Sequence, residues 1–376
     1  MKTIKIIFPL LFLCVINLNA QKKEAGRLIW SEAKASEWYS LQPWLVGANF
    51  LPSTAINELE MWQAATFDTT TIAREFGWAA SIGMNTMRIF LHDLAYKQDP
   101  DGFKKRIGIV LAIASRYHIK PLFVLFDSCW DPFPHPGKQH EPAPFLHNSG
   151  WVQSPGADAL KDVTQYPRLR KYVSDIVGTF SKDKRILGWD VWNEPDNTNN
   201  TSYGRFESYD KVQEVSNLLQ KVFIWTRAAN PSQPITSGIW SGDWSAADRL
   251  KPIEKMMVEQ SDIISFHNYS SGAEIEKHIE WLQRYHRPII CTEYMARGNG
   301  STFEGSMPVG KKYKVAMFNW GLVNGKSQTI YPWDSWSIKY TKAPDLWFHD
   351  IFFKDGKPYK QTEVDFISAI TAAKVK

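Results

Sequence analysis

The sequence predicts an α/β fold of the (β/α)8 type, a TIM barrel in a single domain. Eight short apolar runs recur along the chain with helix-period segments between them, the alternation that produces a parallel sheet. Most of these runs are continuous Val, Ile, Leu and Phe stretches, as strands covered on both faces require. An open doubly wound sheet would want a Gly-rich phosphate turn after an early strand, and the sequence has none. Eight units also suffice for the sheet to close on itself.

The chain's start stands outside this pattern. Lys2 and Lys5 lead into an apolar run from Ile6 to Ile16, and Ala20 offers a small residue at which to cut. These are the marks of a secretory signal, expected to be removed after residue 20. The run is too short for a membrane span. A lipoprotein at Cys14 would want small residues where Leu11, Phe12 and Leu13 stand. The expected catalytic domain is residues 21–376, exported to the periplasm or beyond the cell.

The candidate strands are Leu45–Phe50, Thr86–Leu91, Pro121–Asp127, Ile186–Trp192, Ile235–Trp240, Ile263–Tyr269, Ile289–Tyr294 and Ala316–Leu322. Asp68 can cap a helix with Ile72, Phe76, Ala79 and Ala80 on one face, and Gly83 stops it. Asp101 precedes a second helix carrying Phe103, Ile107, Val110, Leu111 and Ala114. A long helix presents Val215, Leu218, Leu219 and Val222 and ends before Pro231. Two connections are long, from Ser128 to about Tyr166 and from Val323 to about Tyr359. Each follows a strand, so each should lie on the face where a barrel keeps its active site.

Net charge is +5, with acids and bases interspersed. No basic run of the kind that tracks nucleic acid is present. Trp, Tyr and Phe make up 14% of the chain, and Trp62, Trp130, Trp151, Trp244, Trp333 and Trp336 fall in loop-like stretches. Such rings build a core or stack against sugar faces, and a mixture of the two is expected. After cleavage two cysteines remain, Cys129 and Cys291. On strands three and seven they would lie too far apart to pair.

The chemistry gathers at two glutamates. Glu194 follows the apolar run before Trp189-Asp190-Val191-Trp192-Asn193-Glu194-Pro195, and Glu293 follows Pro288-Ile289-Ile290-Cys291-Thr292. Strands four and seven would each deliver a carboxylate at their C-terminal ends, the equipment for cleaving a glycosidic bond. Gly83-Met84-Asn85-Thr86-Met87-Arg88, His267-Asn268-Tyr269 and Trp320 follow in order along the pattern. With these motifs the chain resembles the retaining glycoside hydrolases of clan A, which include the cellulase-like family 5 enzymes. The resemblance runs from strand one to strand eight. It implies hydrolysis of β-glycosidic bonds in a poly- or oligosaccharide, with Glu194 as acid/base and Glu293 as nucleophile. It further implies that Arg88 and Tyr269 hydrogen-bond Glu293, that Asn193 meets the sugar 2-hydroxyl, that His267 shares the Tyr269 face, and that Trp320 floors the sugar site. No cofactor is implied.

The chain departs from this pattern after strand three. Many clan members carry a His there, whereas here Phe126-Asp127-Ser128-Cys129-Trp130 stands in its place. Asp127 is then a candidate sugar contact and Trp130 a candidate wall. His92 and Asp93 after strand two are further wall candidates. Trp240 ends strand five as another, with core packing its stronger reading. His135, His140 and His147 share a loop with Asp131 and Glu141, but their spacing matches no zinc pattern, so no metal site is expected. Two other readings compete with retaining hydrolysis: a non-catalytic carbohydrate-binding protein on a degenerate barrel, and an inverting or transglycosylating enzyme.

Overall fold

The computed structural model describes residues 26–372. The expected signal at residues 1–20 lies outside the described residues. Eight parallel strands form one sheet: β1 (Val46–Asn49), β2 (Thr86–Phe90), β3 (Lys120–Val124), β4 (Gly188–Asp190), β5 (Ile235–Thr236), β6 (Ile264–His267), β7 (Ile289–Tyr294) and β8 (Ala316–Asn319). They are hydrogen-bonded in the order β5-β4-β3-β2-β1-β8-β7-β6. A parallel bridge between Ile239 and Phe266 closes the ring. Ile239 N donates to Ser265 O at 3.1 Å, and His267 N donates to Ile239 O at 2.9 Å.

Apart from β7, which spans the run that forecast it, the observed strands are shorter than their apolar runs, mostly at their C-terminal ends. Ladder pairing is lost there as the strands splay to shape the mouth, and register shifts interrupt it between Phe266 and His267 and between Cys291 and Tyr294. Such irregularities re-aim side chains near active sites.

Most of the core lies between the ring and its helices, with Phe76, Ile107, Leu111, Leu218, Leu219 and Val222 fully buried there. Asp68 caps the helix Thr69–Ser81 by accepting from Thr71 N, and Gly83 leaves it at φ +82°, a conformation that favours glycine. The helix Pro100–Arg116 is capped by Asp99 rather than Asp101, because Pro100 already occupies its first turn. The helix Glu32–Ser40 plugs the N-terminal mouth: Trp30, Ala35 and Tyr39 pack on Leu45, Leu122, Leu187 and Ile263.

The two long connections clasp each other. Asn148 N donates to Ser327 O at 2.9 Å, and Trp336 Nε1 to His147 O at 2.8 Å. Gln328 Nε2 donates to Ala143 O at 2.7 Å while its Oε1 accepts from Phe145 N at 2.9 Å. Trp130 stacks on Trp336 with ring centroids 5.5 Å apart. One loop leaves β3 and the other leaves β8, which stand on either side of β2 and β1 in the ring. The clasp therefore roofs the β1–β2 sector of the C-terminal face. Cys129 and Cys291 are free thiols, both buried.

Candidate active site

Glu194 and Glu293 leave β4 and β7 at the same mouth of the barrel. A carboxylate oxygen of each and a ring nitrogen of His267 lie within 4.8 Å of one another. The register helps: Asn49 pairs with Arg88 across β1–β2, and His267 pairs with Glu293 across β6–β7. The backbone is left-handed at Trp130, Glu194 and Met295 (φ +69°, +43° and +74°). Residues other than glycine seldom adopt this conformation, and such strain collects at working sites.

Arg88, wholly buried, organises the floor. Its Nη1 donates to Glu293 Oε1 at 2.8 Å and to Asn49 Oδ1 at 2.9 Å. Its Nε and Nη2 donate to Asp190 Oδ2 at 3.0 and 2.8 Å, and Nη2 also reaches Asn193 Oδ1 at 2.8 Å. Tyr269 OH donates to Glu293 Oε2 at 2.7 Å. Glu194 sits among different partners. Oε1 lies 2.8 Å from His267 Nδ1, while Oε2 accepts from Asn197 Nδ2 at 2.7 Å and lies 3.2 Å from Cys129 Sγ.

These surroundings separate the two carboxyls. Burial lifts Glu194 from an ordinary 4.5 to about 7, against the pull of the Asn197 and Cys129 hydrogen bonds. Burial raises Glu293 too, opposed by the Arg88 guanidinium and the Tyr269 hydroxyl. Glu293 thus carries the cationic and hydrogen-bonding support that favours an anion, and Glu194 the environment that favours a proton. Burial pulls His267 down to about 4, so its ring is neutral near pH 7.

A cavity of about 710 Å³ opens above the pair, within the roughly 300–1,000 Å³ typical of ligand sites. Asn193, Glu194, Tyr269, Glu293 and Trp320 line its floor, and Trp130, Trp240 and Trp333 its walls. Cellulase, described as glycosyl hydrolase family 5, is the family model that matches residues 146–338, just over half of the 376 residues. The chain belongs to that family. Its chemistry is glycoside hydrolysis, and its substrate a carbohydrate. A search of curated proteins finds no match. Among solved structures, a variant of GH5_18 from Streptomyces cattleya in complex with Manb1-4GlcNAc is similar, with TM-score 0.60 at 11% identity, over 88% of this chain and 81% of that one. The exo-beta-1,4-mannosidase Op5Man5 from Opitutaceae bacterium strain TAV5 has TM-score 0.57 at 18% identity, over 87% of this chain and 59% of that one. The hyperthermostable endo-1,4-beta-D-mannanase from Thermotoga petrophila RKU-1 has TM-score 0.55 at 14% identity, over 87% and 99%. At these identities the likeness is one of fold.

In this family 5 enzyme the residues singled out in the sequence fall into two groups. Glu194, Glu293, Asn193, Tyr269, Trp320, Trp130 and Trp240 reach the cavity. Arg88, His267 and Asp127 do not line it. Arg88 and His267 stand behind the carboxylates as their hydrogen-bond partners. Asp127 lies behind the cavity: its Oδ1 accepts from Cys129 N and Asn193 Nδ2 at 2.9 Å each, and its Oδ2 from Trp151 Nε1 at 2.7 Å. It orients Asn193. His92 and Asp93 are buried away from the cavity as well, with Asp93 paired to Arg168. Trp240 is a wall rather than core, its Nε1 held by Asp196 Oδ1 at 2.6 Å. The loop tryptophans divide: Trp62, Trp151 and Trp244 are buried, whereas Trp130 and Trp333 face the cavity.

Among the described residues, the one cluster of acid and His side chains close enough to share an ion is Glu194, His267 and Glu293. Their oxygens already serve Arg88, Tyr269 and Asn197. His135, His140 and His147 do not join such a cluster. Sequence reasoning missed Asn49, Cys129, Asp190 and Asn197. Asp190 had a signal in the same short stretch as Glu194, but the others carry none.

Proposed function

We propose that the enzyme hydrolyses β-glycosidic bonds in a poly- or oligosaccharide with retention of configuration. The observation that supports this most is that an oxygen of Glu194 and an oxygen of Glu293 come within 4.8 Å of each other. Retaining enzymes hold the two carboxyls about 5–5.5 Å apart, whereas inversion needs roughly 6.5–9.5 Å to admit a water. Glu293, supported as an anion by Arg88 and Tyr269, attacks the anomeric carbon. Glu194 gives its proton to the leaving oxygen, and a glycosyl ester forms on Glu293. Glu194, left as a carboxylate by the first step, then takes a proton from the water that hydrolyses the ester, which returns both glutamates to their starting states. Asn193, which lines the cavity floor while its Nδ2 donates to Asp127 Oδ1 at 2.9 Å and, more weakly, to Cys129 Sγ at 3.4 Å, is assigned to the sugar 2-hydroxyl, and Trp320 to the platform beneath the ring. We also propose export, on the strength of the basic start and apolar run before residue 20.

Glu293→Ala and Glu194→Ala should each abolish hydrolysis of the natural glycan while circular dichroism stays native. On an activated aryl β-glycoside, Glu194→Ala should retain the first step, because a good leaving group needs no proton. NMR of the first-formed sugar should show the β anomer. An α product, or normal turnover in either variant, would sink this reading.

A further inference from the structure

The clasp over β1 and β2 has a consequence for where chains are cut. We infer that the cleft holds one sugar on the glycone side of the scissile bond, so that the enzyme removes single residues from the non-reducing end of a β-linked chain. This rests on the retaining reading, with Glu293 as nucleophile and Glu194 as acid/base.

A line from β4 to β7 leaves β5 and β6 on one side and β8, β1, β2 and β3 on the other. Trp320 follows β8, so the ring lying on it, with its anomeric carbon at Glu293, occupies the second side. The leaving oxygen faces Glu194, and the group it carries lies over the β5–β6 sector. That sector is open. Asn200 and Thr201, on the connection after β4, and Lys251, on the connection after β5, line the cavity and are exposed.

The opposite sector is closed. A pyranose carries its C1 and C4 substituents at opposite ends of the ring, so a chain continuing past the glycone would run beneath the clasp. Behind Trp320, among Phe90, Asn148, Trp151, Ser327 and Asp350, the space contracts to about 20 Å³. That is room for about one water, which needs roughly 10–15 Å³, and for no sugar ring. The loops leave little freedom to open, since Asn148 N is bonded to Ser327 O and His147 Nδ1 lies 2.7 Å from Tyr331 O.

Two acceptors are left over at this closed end, Oδ1 of Asp350 and Oδ1 of Asn148. Asn148 is 1% exposed and lines both the main cavity and the small one, and its Oδ1 has no hydrogen-bond partner. A buried acceptor without a partner is costly. A free hydroxyl on the terminal sugar supplies the missing donor, whereas a glycosylated oxygen has no hydrogen to give.

The test uses the full-length enzyme on β-1,3- and β-1,4-linked hexasaccharides of gluco, manno, galacto and xylo configuration, labelled at the reducing end. Each is paired with a copy methylated on the terminal hydroxyl through which the chain would continue. The expected result is a labelled ladder shortening one residue at a time, with free monosaccharide from the first time point and loss of cleavage on methylation. Labelled trisaccharide as an early product, or equal cleavage of methylated chains, would overturn the inference. Aryl β-monoglycosides serve as the control. If these are cut and Glu293→Ala abolishes the activity, the retaining reading stands, and hexasaccharides that are all inert then defeat the inference alone. Inert aryl glycosides and inert hexasaccharides together defeat both.

Discussion

Asn197 Nδ2, 2.7 Å from Glu194 Oε2, is a donor that favours the charged carboxylate in a site where burial favours the proton. The acid must be protonated to help the leaving group depart, so kcat/KM should fall as pH rises through about 7, the value to which burial lifts Glu194. Asn197→Ala removes a group that lowers this pKa, and the alkaline limb should move to higher pH. A limb that stays put would mean that another group sets it. Arg88 presents the reverse case. Its guanidinium compensates both Asp190 and Glu293 in a fully buried setting. Arg88→Ala should cost about 3–5 kcal/mol in urea unfolding, the usual consequence of stranding a buried charge, and should abolish turnover. At these positions the sequence was most informative where a residue type is demanded by charge. Glu194, Glu293, Arg88 and Tyr269 stood out in the chain, and the structure brings them together. Asn197, Asn49 and Cys129 did not stand out, because an amide or thiol becomes significant only through what it touches. Asp127 depends on its contacts in the same way: a carboxylate at a strand end reads as a ligand, whereas its oxygens accept from Trp151 and Asn193 and it does not line the cavity.

Strands and helices were legible from periodicity, since each apolar run reports burial on both faces. Their ends were not, because the mouth of a barrel breaks the ladder while the side chains stay apolar. β4 and β5 shrink most, to Gly188–Asp190 and Ile235–Thr236, although their runs continue to Trp192 and Trp240. Capping at Asp99 rather than Asp101 turned on a proline that sits in the first turn of the helix. The ring also makes a demand that only close packing reveals. A Cβ on Gly47 would lie 1.9 Å from Thr86 O on the neighbouring strand. Gly47→Ala must push β1 away from β2, and thermal unfolding should show a loss of about 1–3 kcal/mol, the range for overpacked interiors. An unchanged midpoint would show that the strands separate freely.

At the scale of the whole barrel, the two long loops meet over the active-site face. Gln328 joins them with hydrogen bonds to Ala143 O and from Phe145 N, away from the cavity. Gln328→Ala should therefore speed amide exchange in residues 143–149 and 326–336 together, with the strands unaffected, if the loops open as one unit. Faster exchange in one loop alone would show that they move independently. Hydrophobic pattern and strand-end chemistry sufficed to infer an eight-stranded barrel of the cellulase-like kind, because both are local properties written into short segments. The split between residues that face the cavity and residues that stand behind it, and the roof over β1 and β2, belong to the folded chain alone. Both come from contacts between segments far apart in sequence, as where Asn148 meets Ser327 and Trp130 meets Trp336, and no periodicity within either segment records its partner.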